Sequence, residues 1–482
     1  MQKVFKDCYA LDKYCYETYG LSEDILMEHA ALGMARHIWE KFPKYREENI
    51  DPKEIKTVLI VAGAGNNGAD GIALARLLFG SYSVKLYLPF GVKSKMAKKQ
   101  LSSVEALNIE MVEKVIEADI VVDALYGAGL NRALDEKTKT LLVEMKMTQA
   151  YAIACDIPTG LNNKGEPSPL AFYADVTITM GAYKEALFSD YAKEYVGQIV
   201  CVDLGVHHVA YAWGDKPSAT LLEESDLALP TRDFMKTTHK GTFGHVAVFC
   251  GEKEGAGVMA GMASARFGAG LTTLVVHEKV SSPPYLMQAT VVPQNVSALA
   301  IGMGLGETFE RACLQKSVIE SSLPVVLDAD ALSSQALLSL LEQKDREIVL
   351  TPHPKEFASL WKILTQEELS VSQVQSRRFE MVRRFNALYP HVTLLLKGAN
   401  MLIVHQKKCY INPLGSPLLS KGGSGDVLSG LIVALLAQGY TGVEAAIQGS
   451  LALVMAAHNY KGATYAMLPT DIIDEVGKLE KS

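Results

Sequence analysis

Short apolar runs recur along the first 204 residues, and stretches with helical periodicity lie between them. The runs are TVLIVAG, SVKLYLP, DIVVDAL, YAIACDIP, DVTITM and QIVCVDL. Apolar runs of this length without polar alternation are typical of strands buried on both faces of a parallel sheet. The pattern therefore predicts an α/β domain over this part of the chain.

A second series of such runs follows a polar, less periodic stretch, GVHHVAYAWGDKPSATLLEESD, and we place a domain boundary there, between residues 212 and 222. The second series is GHVAVFCG, LTTLVV, PVVLDAD, EIVLTP, TLLLKG and MLIVH. Neither a repeat between the two series nor a low-complexity segment is visible. Two successive α/β domains are the simplest account.

Length and charge narrow the class of protein. A chain of 482 residues is too long for one ordinary hydrophobic core and suggests two to four domains. A content of 49% hydrophobic and 21% charged residues is typical of a globular protein. The net charge of -7 argues against a nucleic-acid partner, because no broad basic field is available to neutralise phosphates. The short basic run KSKMAKK (93–99) is interpreted as a solvated helix face.

Targeting signals and metal-binding cysteine patterns are not visible in the sequence. The first residues lack the apolar core of a signal peptide, and no run of about 18 apolar residues occurs, so we expect a cytoplasmic protein without a membrane partner. The seven cysteines are scattered without a C-x-x-C pair, which predicts reduced, structural thiols. Cys250, in the predicted strand HVAVFC, is interpreted as a small buried side chain.

The first strand leads into GAGNNGADG (63–71), in which Gly63, Gly65 and Gly68 satisfy G-x-G-x-x-G at a strand-to-helix position. A nicotinamide dehydrogenase would also carry an acidic residue at the end of its second strand, and SVKLYLPF offers none. The loop therefore suits a phosphate-bearing ligand without predicting hydride transfer.

Polar residues end several of the predicted strands. Asn66, Asn67 and Asp70 lie in the first turn, Asp123 ends the third strand and Asp156 ends the fourth. Any one of them could be a helix cap, the commoner fate of a lone Asp or Asn after a strand. Because strand carboxyl ends converge on one crevice in open α/β sheets, the group as a whole predicts a ligand site.

Three of the residues in this region offer oxygen ligands without histidine or thiolate. They are Asn67, Asp123 and Thr159. Such a set suits a hard cation rather than zinc.

Four segments of the first domain, GAGNNGADG, VVDALYGAGL, AIACDIPTG and GAYKEAL, resemble in this order the NAD(P)HX epimerases, the YjeF N-terminal family. The resemblance implies a Rossmann-like three-layer domain that binds a hydrated nicotinamide nucleotide. It implies substrate contacts at Asn66, Asn67, Gly68, Ala69, Asp70, Gly127, Ala128, Gly129, Leu130, Asn131, Arg132, Ala133 and Asp156. It further implies catalysis at Asp156 and potassium at Asn67, Asp123 and Thr159. Ala69 and Thr159 stand where the family usually has glycine and serine.

In the second domain, LLSKGGSGDVLSG (418–430) places a glycine-rich turn before an apolar run. Unpaired N–H groups at such a helix start suit phosphate, and Asp426 would stand where a general base could reach a hydroxyl. The alternative is a tight turn before a buried helix. Likewise, His353 could be a rigid loop residue, and Lys397 either an exposed lysine or a phosphate contact.

Six segments lie ahead of this loop: HKGTFGHVAVFCG, GAGVMAGMASARFGAGLTTLVV, IGMGLGE, VVLDADAL, LTPHPKEFASL and LLLKGAN. With the loop they resemble the ribokinase-like fold and, within it, the ADP-dependent NAD(P)HX dehydratases, the YjeF C-terminal family, over nearly all of residues 223–480. The resemblance implies hydrate contacts at Ala256, Gly306, His353 and Asp426, with Asp426 catalytic. It implies nucleotide contacts at Lys397, Gly398, Ala399, Asn400, Met401 and Gly425. Met303, Ser424 and Lys421 depart from the usual proline, threonine and small residue.

Together the resemblances imply a bifunctional enzyme, with an epimerase domain at 1–212 and a dehydratase domain at 223–482. The first would interconvert the R and S hydrates NADHX and NADPHX. The second would dehydrate the S form with ADP, giving AMP and phosphate, with magnesium accompanying ADP; a homo-oligomer is also expected. Two rivals stay open: a true small-molecule kinase with an extra domain, and a first domain that serves only as a nucleotide sensor or protein-binding module.

Overall fold

The computed structural model describes residues 1–43, 56–130, 132–233, 236–306 and 318–480. The chain forms two compact units, Gln2–Ala219 and Thr220–Ser482, with Met1 grouped with the second. We refer to them as the first and second unit. Cys313 lies outside the described residues. None of the six described cysteines is joined in a disulfide, and five of them are buried.

The first unit alternates strands and helices. Its strands are β1 (Gln2–Phe5), β2 (Thr57–Ala62), β3 (Ser83–Tyr87), β4 (Glu110–Val112), β5 (Ile120–Ala124), β6 (Tyr151–Cys155), β7 (Val176–Met180), β8 (Tyr183–Lys184) and β9 (Gln198–Val202). Its helices are α1 (Tyr9–Tyr19), α2 (Glu23–Lys41), α3 (Asn66–Leu78), α4 (Lys95–Ala106), α5 (Glu136–Met147), α6 (Lys193–Val196) and α7 (His208–Tyr211), with a 3-10 turn at Glu185–Phe188.

Seven of these strands form a parallel sheet in the order β4-β3-β2-β5-β6-β7-β9. The chain winds outward from β2 in both directions, so the strand order reverses between β2 and β5. In such a sheet the crevice for a ligand lies at this reversal, beyond the strand carboxyl ends. All six predicted strands of this unit are confirmed, and β1 pairs in parallel with β8 outside this seven-stranded sheet.

Local sequence accounts for the helices that flank this sheet. The Ser94 hydroxyl caps α4 by accepting from Ala97 N at 3.0 Å, and Asp135 caps α5 in the same way. In α4, Met96 and Ala97 are buried whereas Lys98 and Lys99 are exposed. The interpretation of the basic run as a solvated helix face is therefore confirmed.

The second unit has a larger sheet. Its strands are β10 (Ala219–Leu221, which begins at the last residue of the first unit), β11 (His245–Phe249), β12 (Leu271–Val275), β13 (Met287–Ala289), β14 (Ala298–Ile301), β15 (Val325–Leu327), β16 (Ile348–Leu350), β17 (Thr393–Leu396), β18 (Met401–His405) and β19 (Lys408–Asn412). Its helices are α8 (Glu254–Arg266), α9 (Leu337–Leu341), α10 (Pro354–Thr365), α11 (Val371–Ser376), α12 (Arg378–Leu388), α13 (Ser424–Ala437), α14 (Gly442–Asn459) and α15 (Pro469–Val476). Single 3-10 turns lie at Glu224–Asp226, Lys240–Phe243, Ala329–Ser333 and Pro417–Leu419.

These strands lie in the order β13-β12-β11-β14-β15-β16-β17-β18-β19-β10. The run from β13 to β17 is parallel, β18 and β19 add antiparallel strands, and β10 pairs in parallel with β19. The strand order again reverses, here at β11. The predicted α/β fold is confirmed, but the run MLIVH forms the antiparallel strand β18 rather than a parallel one, and Cys250 follows β11 rather than lying inside it.

Helix α13 is the centre of the second unit. Every residue from Val427 to Ala437 is buried, and the helix packs on α8 and α14. A helix that is apolar on all sides must be buried by its neighbours. Its one polar end, at Ser424 and Asp426, is therefore the part that is left to face a ligand. Among the described helices, none is both long and apolar enough to cross a membrane.

Candidate functional sites

The glycines of the first-unit loop have two separate roles. A Cβ on Gly63 would lie 1.9 Å from the carbonyl oxygen of Leu125, and one on Gly68 would lie 1.8 Å from that of Gly63. These two glycines are required for packing of the loop. Gly65, by contrast, has no atom within 4 Å of such a Cβ. Its open side leaves room for a ligand to approach the backbone at the start of α3.

A cavity of about 830 Å³ opens beside this loop, a volume that suits a nucleotide-sized ligand. The predicted residues that line it are Asn66, Asn67, Asp70, Gly127, Ala128, Gly129, Leu130, Arg132 and Asp156. Gly68 and Ala69 are buried within α3, and exposed Ala133 is not part of the lining. Asn131 lies outside the described residues.

Asp156 is held in a constrained conformation at the floor of this cavity. It follows β6 with φ of 69°, a left-handed conformation that costs a non-glycine residue free energy and is concentrated at functional sites. Its Oδ1 accepts hydrogen bonds from Lys184 Nζ at 2.6 Å, Met180 N at 3.2 Å and Thr179 Oγ1 at 3.3 Å. These donors orient the carboxylate at the end of the strand.

Lys184 is a functional candidate that the sequence analysis did not assign. It lies in β8 with 3% of its side chain exposed, and β1 places Phe5 beside it in the ladder. Burial alone lowers the pKa of Lys184, but the charge of Asp156, the thiol of Cys8 and the hydrogen bond to Asp156 outweigh burial and raise the pKa above its usual value. Lys184 therefore carries a buried, permanent positive charge against Asp156.

Helices α1 and α7 contribute a second polar pair to the same cavity. The Tyr211 hydroxyl donates to Asp12 Oδ1 at 2.6 Å, and both side chains line the cavity. Burial raises the pKa of Asp12, and burial likewise raises the pKa of Asp70, whose neighbours Asp156 and Asp12 add to the effect. The cavity thus gathers carboxyl groups whose pKa values are raised, as is common at functional sites.

Behind the cavity wall, Asp123 and Thr159 form a buried oxygen cluster. Asp123 Oδ2 accepts from Thr159 N at 2.7 Å, and Oδ1 accepts from Thr159 Oγ1 at 2.7 Å and from Leu125 N at 3.1 Å. Burial raises the pKa of Asp123 to about 6, although these hydrogen bonds act in the opposite direction. The Asp123 carboxylate is buried away from water, and its hydrogen bonds offset only part of the free-energy cost of burying its charge.

Asn67 approaches the same cluster from α3. Its Nδ2 is buried without a hydrogen-bond partner in the described part of the chain. A Cβ on Gly127 would lie 2.8 Å from its Oδ1, and the neighbouring Tyr126 donates its backbone N–H to Thr159 Oγ1 at 2.9 Å. The segment 126–127 therefore joins Asn67 to the Asp123–Thr159 pair.

In the second unit, the glycine loop positions Asp426 at the start of α13. Gly423 precedes the helix with φ of 99°, and the carboxylate of Asp426 receives no hydrogen bond from any described residue. The pKa of Asp426 is raised to about 6, mainly by burial and also by the charges of Asp328 and Glu356, whereas the charge of Lys397 acts in the opposite direction. An unpaired carboxylate with this pKa suits a general base.

Lys397 links the loop to a buried acid. Its Nζ donates to Asp328 Oδ1 at 2.7 Å, and the Ser429 hydroxyl on α13 donates to Asp328 Oδ2 at 2.9 Å. A Cβ on Gly425 would lie 3.2 Å from Lys397 Nζ. The ammonium group therefore lies against the glycine loop, where it can contact phosphate. The alternative of an unconstrained surface lysine does not hold.

His353 is the N-cap of α10. Its Nδ1 accepts from the backbone N–H groups of Lys355 and Glu356, and Glu356 Oε2 accepts from the backbone N–H of His353 at 2.8 Å. Nε2 lies 3.1 Å from Glu356 Oε1. The local structure is thus a capping box, and it also fixes Glu356 among the acids near Asp426.

The remaining residues predicted in the second unit are distributed over several loops. Gly306 has φ of 78° and donates its N–H to Asp330, and Ala256 lies in the first turn of α8. Gly398 and Ala399 are exposed after β17, whereas Asn400 and Met401 are buried. Lys421 donates to the carbonyl oxygen of Tyr465 at 3.1 Å.

Comparisons with known proteins match both units. A family model described as YjeF-related protein N-terminus matches residues 23–186, and one described as NAD(P)H-hydrate dehydratase matches residues 246–478. A Helicobacter pylori protein named bifunctional NAD(P)H-hydrate repair enzyme Nnr is 38% identical over 99% of this chain and 100% of its own. The chain belongs to this family. A protein of the same name from Coxiella burnetii is 32% identical over 94% of both chains.

Among solved structures, an ADP/ATP-dependent NAD(P)H-hydrate dehydratase from Bacillus subtilis, co-crystallised with ATP and Mg²⁺, is similar to part of the chain. It is 24% identical and has a TM-score of 0.45, covering 54% of this chain and 97% of that one.

Each of the predicted candidate residues of the two sites lies within one of the two family matches. Asp156 and the Asp123–Thr159 pair fall in the first match, and Asp328, Lys397 and Asp426 fall in the second. Lys184 also falls in the first match, inside the segment GAYKEAL that carried the resemblance. That segment was the available signal for Lys184. Asp12 and Tyr211 lie outside the match and in no motif, so nothing in the sequence pointed to them.

Proposed function

We propose that the first unit epimerises the R and S forms of NADHX and NADPHX and that the second unit dehydrates the S form with ADP. The observation that carries the proposal is that each unit holds a carboxylate beside a glycine loop. These acids are Asp156 and Asp426, and each lies in the part of the chain that one family model matches. The two reactions therefore have separate active sites.

Epimerisation requires a bond at the hydroxyl-bearing ring carbon to break and re-form, with a proton moved at each stage. In our proposal the open side of Gly65 and the N-terminus of α3 take the diphosphate, while the ring extends to Asp156. Asp156 then moves the proton, and Lys184 keeps the carboxylate oriented through the 2.6 Å contact.

Potassium fits the buried oxygen cluster of the first unit. Asn67, Asp123 and Thr159 would hold it through the Asn67 amide oxygen, the Asp123 carboxylate and the Thr159 hydroxyl, which lie around residues 126–127. A monovalent cation in this position would offset the charge of the substrate diphosphate and fix the loop.

In the second unit, dehydration begins with phosphoryl transfer. The hydroxyl oxygen of the hydrate attacks the terminal phosphorus of ADP, AMP leaves, and Asp426 accepts the hydroxyl proton. Lys397 and the N-terminus of α13 stabilise the charge that develops on the phosphoryl oxygens. The phosphate ester then loses phosphate from one ring carbon and a proton from the adjacent carbon, and the electron pair of that C–H bond restores the double bond of the dihydronicotinamide ring.

Magnesium accompanies ADP in this proposal. Asp328, Glu356 and Asp426 bring three carboxylates near the phosphate loop, and Mg²⁺ is commonly bound by one or two carboxylates together with substrate phosphates. Cytoplasmic localisation, which matches the supply of reduced nicotinamide nucleotides, and a homo-oligomeric state are parts of the same proposal.

Incubation of the purified full chain with mixed NADHX epimers tests the function. With ADP and Mg²⁺ we expect complete return of the dihydronicotinamide absorbance, because the R form is converted to the S form as the latter is consumed. Without ADP we expect no return. Accumulation of a stable phosphorylated product would favour the kinase alternative, and recovery of only the S fraction would contradict an active first unit.

A further inference from the structure

The loop after β9 carries two histidines and an aspartate that the proposed reactions do not use. We call them the Asp203 cluster; its members are Asp203, His207 and His208. Each residue offers one ligand atom, and these three atoms all lie within 4.8 Å of one another. Two imidazoles with one carboxylate are a ligand set suited to zinc and similar divalent transition metals, whereas calcium and magnesium prefer oxygen alone.

The backbone brings the three side chains together. Strand β9 ends at Val202, and Gly205, with φ of 80°, allows the chain to turn back towards α7. His208 N donates to Asp203 Oδ1 at 2.9 Å, and the ring Nδ1 of His208 lies 3.4 Å from the same oxygen. The carboxylate is therefore oriented towards the two imidazoles by the fold itself.

Ligand atoms remain for a metal. In the described structure, the contacts of Asp203 use only Oδ1, so Oδ2 is available. His207 Nδ1 accepts a long hydrogen bond from Val209 N at 3.4 Å, so Nε2 of His207 is available to bind a metal. Two ligands of a tetrahedral zinc ion lie about 3.4 Å apart, given metal distances of about 2.1 Å. The ligand atoms of the cluster, which lie within 4.8 Å of one another, must therefore move closer by up to about 1.4 Å, which rotation of the solvent-accessible side chains allows.

A second cavity, of about 470 Å³, opens beside the cluster. Asp203 and His207 line it together with His29, Arg36, His37 and Glu40. It shares no lining residue with the cavity that contains Asp156. A metal bound by three protein ligands keeps at least one coordination position open, as catalytic and exchangeable zinc sites do. Here that position would face the second cavity.

We propose that Asp203, His207 and His208 form a binding site for a divalent transition-metal ion of the zinc class, separate from both nucleotide sites. The site is exposed and has an open position, so the ion exchanges with solution. It lies on the first unit and is independent of the proposed epimerase chemistry.

The test is a titration of the chelator-treated full chain with zinc in competition with a chromophoric chelator. We expect one equivalent to bind to the wild type. Asp203→Asn and His208→Ala should each weaken this binding at least about tenfold, since even loss of a residue that only supports a ligand costs about 10- to 100-fold. Cobalt titration should give the visible absorption bands of a coordinated ion in the wild type only.

His458→Ala, which removes a half-exposed imidazole in the second unit, is the matched control and should bind zinc as the wild type does. Melting curves without metal show whether each variant is folded. Equal zinc affinity in the wild type and in folded Asp203→Asn and His208→Ala overturns the proposal, as does failure of the wild type to bind one equivalent. In either case the cluster is only an exposed ion pair between His208 and Asp203.

Discussion

At the scale of single residues, two carboxylates with the same raised pKa have different surroundings. The pKa is about 6 for both Asp123 and Asp426, and burial is the main cause in each case. Asp123 receives three hydrogen bonds from its neighbours, whereas Asp426 receives none from the described residues. The first therefore suits a fixed binding role, and the second suits proton transfer.

The Asp123 site should make the effect of potassium depend on pH. Its folded pKa of about 6 lies above the ordinary value of 3.8, so ionisation in the folded state costs stability as pH rises from about 4 through 6. A bound cation offsets this cost only when the carboxylate is charged. We expect potassium at ten times its Kd to raise the Tm by about 3 to 6 °C at pH 8 and by much less at pH 5.

The measurement is thermal unfolding in potassium chloride and in choline chloride of equal ionic strength. Asp123→Asn should abolish the difference between the two salts, whereas Asp24→Asn, which removes an exposed carboxylate, should preserve it. The same Tm in both salts at pH 8 would argue against a potassium site.

Asp426 should determine how kcat/KM for dehydration of the S hydrate decreases at low pH, which we call the acid limb of the pH profile. A general base works only when ionised, so kcat/KM for the S hydrate should rise with pH through about 6 and then level off. Lys397 lowers the pKa of Asp426, so Lys397→Met should move this limb to higher pH in addition to weakening ADP binding. The readout is kcat/KM from pH 5 to 8 at saturating ADP.

Lys421→Met is the control for that experiment. It removes a cation from the same loop, but Lys421 contacts Tyr465 and is not among the charges that shift Asp426. An acid limb that is unmoved in Lys397→Met, or moved equally in both variants, would mean that Asp426 does not control the profile.

At the scale of elements, the start of α13 determines how the phosphate loop is built. Gly423 has φ of 99°, and a Cβ there would lie 2.6 Å from Pro469 Cγ and 3.0 Å from Met259 Sδ. Gly422 has no atom within 4 Å of an added Cβ. Adjacent glycines thus have different functions: one sets the turn into the helix, and the other leaves space beside it.

We therefore expect Gly423→Ala to destabilise the protein by about 1 to 3 kcal/mol, because a non-glycine residue in this conformation is strained and its Cβ would clash with α15. Gly422→Ala should leave stability within about 0.5 kcal/mol of the wild type. Urea unfolding of the two variants gives the comparison. Equal stabilities would show that the turn tolerates a side chain and that its glycine is not a structural requirement.

Elements and sites differ in how far the sequence predicts them. The twelve predicted strands are confirmed because strands covered on both faces read as continuous apolar runs. Strands such as β8 and β13 are too short to produce that pattern. The pairing of Lys184 with Asp156 could not be predicted, because it depends on a tertiary approach across 28 residues that no local periodicity encodes.

At the scale of the whole molecule, one chain is expected to carry two independent active sites for one repair task. Hydration yields both epimers, and a dehydratase specific for one would leave the other unrepaired. The two family matches fall on separate units, and no candidate catalytic residue is shared between them. Loss of one acid should therefore leave the other reaction intact.

The most direct test compares Asp156→Asn and Asp426→Asn on each purified epimer, with exposed Asp24→Asn and Asp474→Asn as controls. Asp156→Asn should lose epimerisation by about 10²- to 10⁴-fold and keep ADP-dependent dehydration of the S form. Asp426→Asn should lose dehydration to a similar extent while it still binds ADP and still interconverts the epimers. Loss of both activities in either folded variant would show that the two active sites are not independent. Near-normal dehydration by Asp426→Asn would show that Asp426 is not the general base.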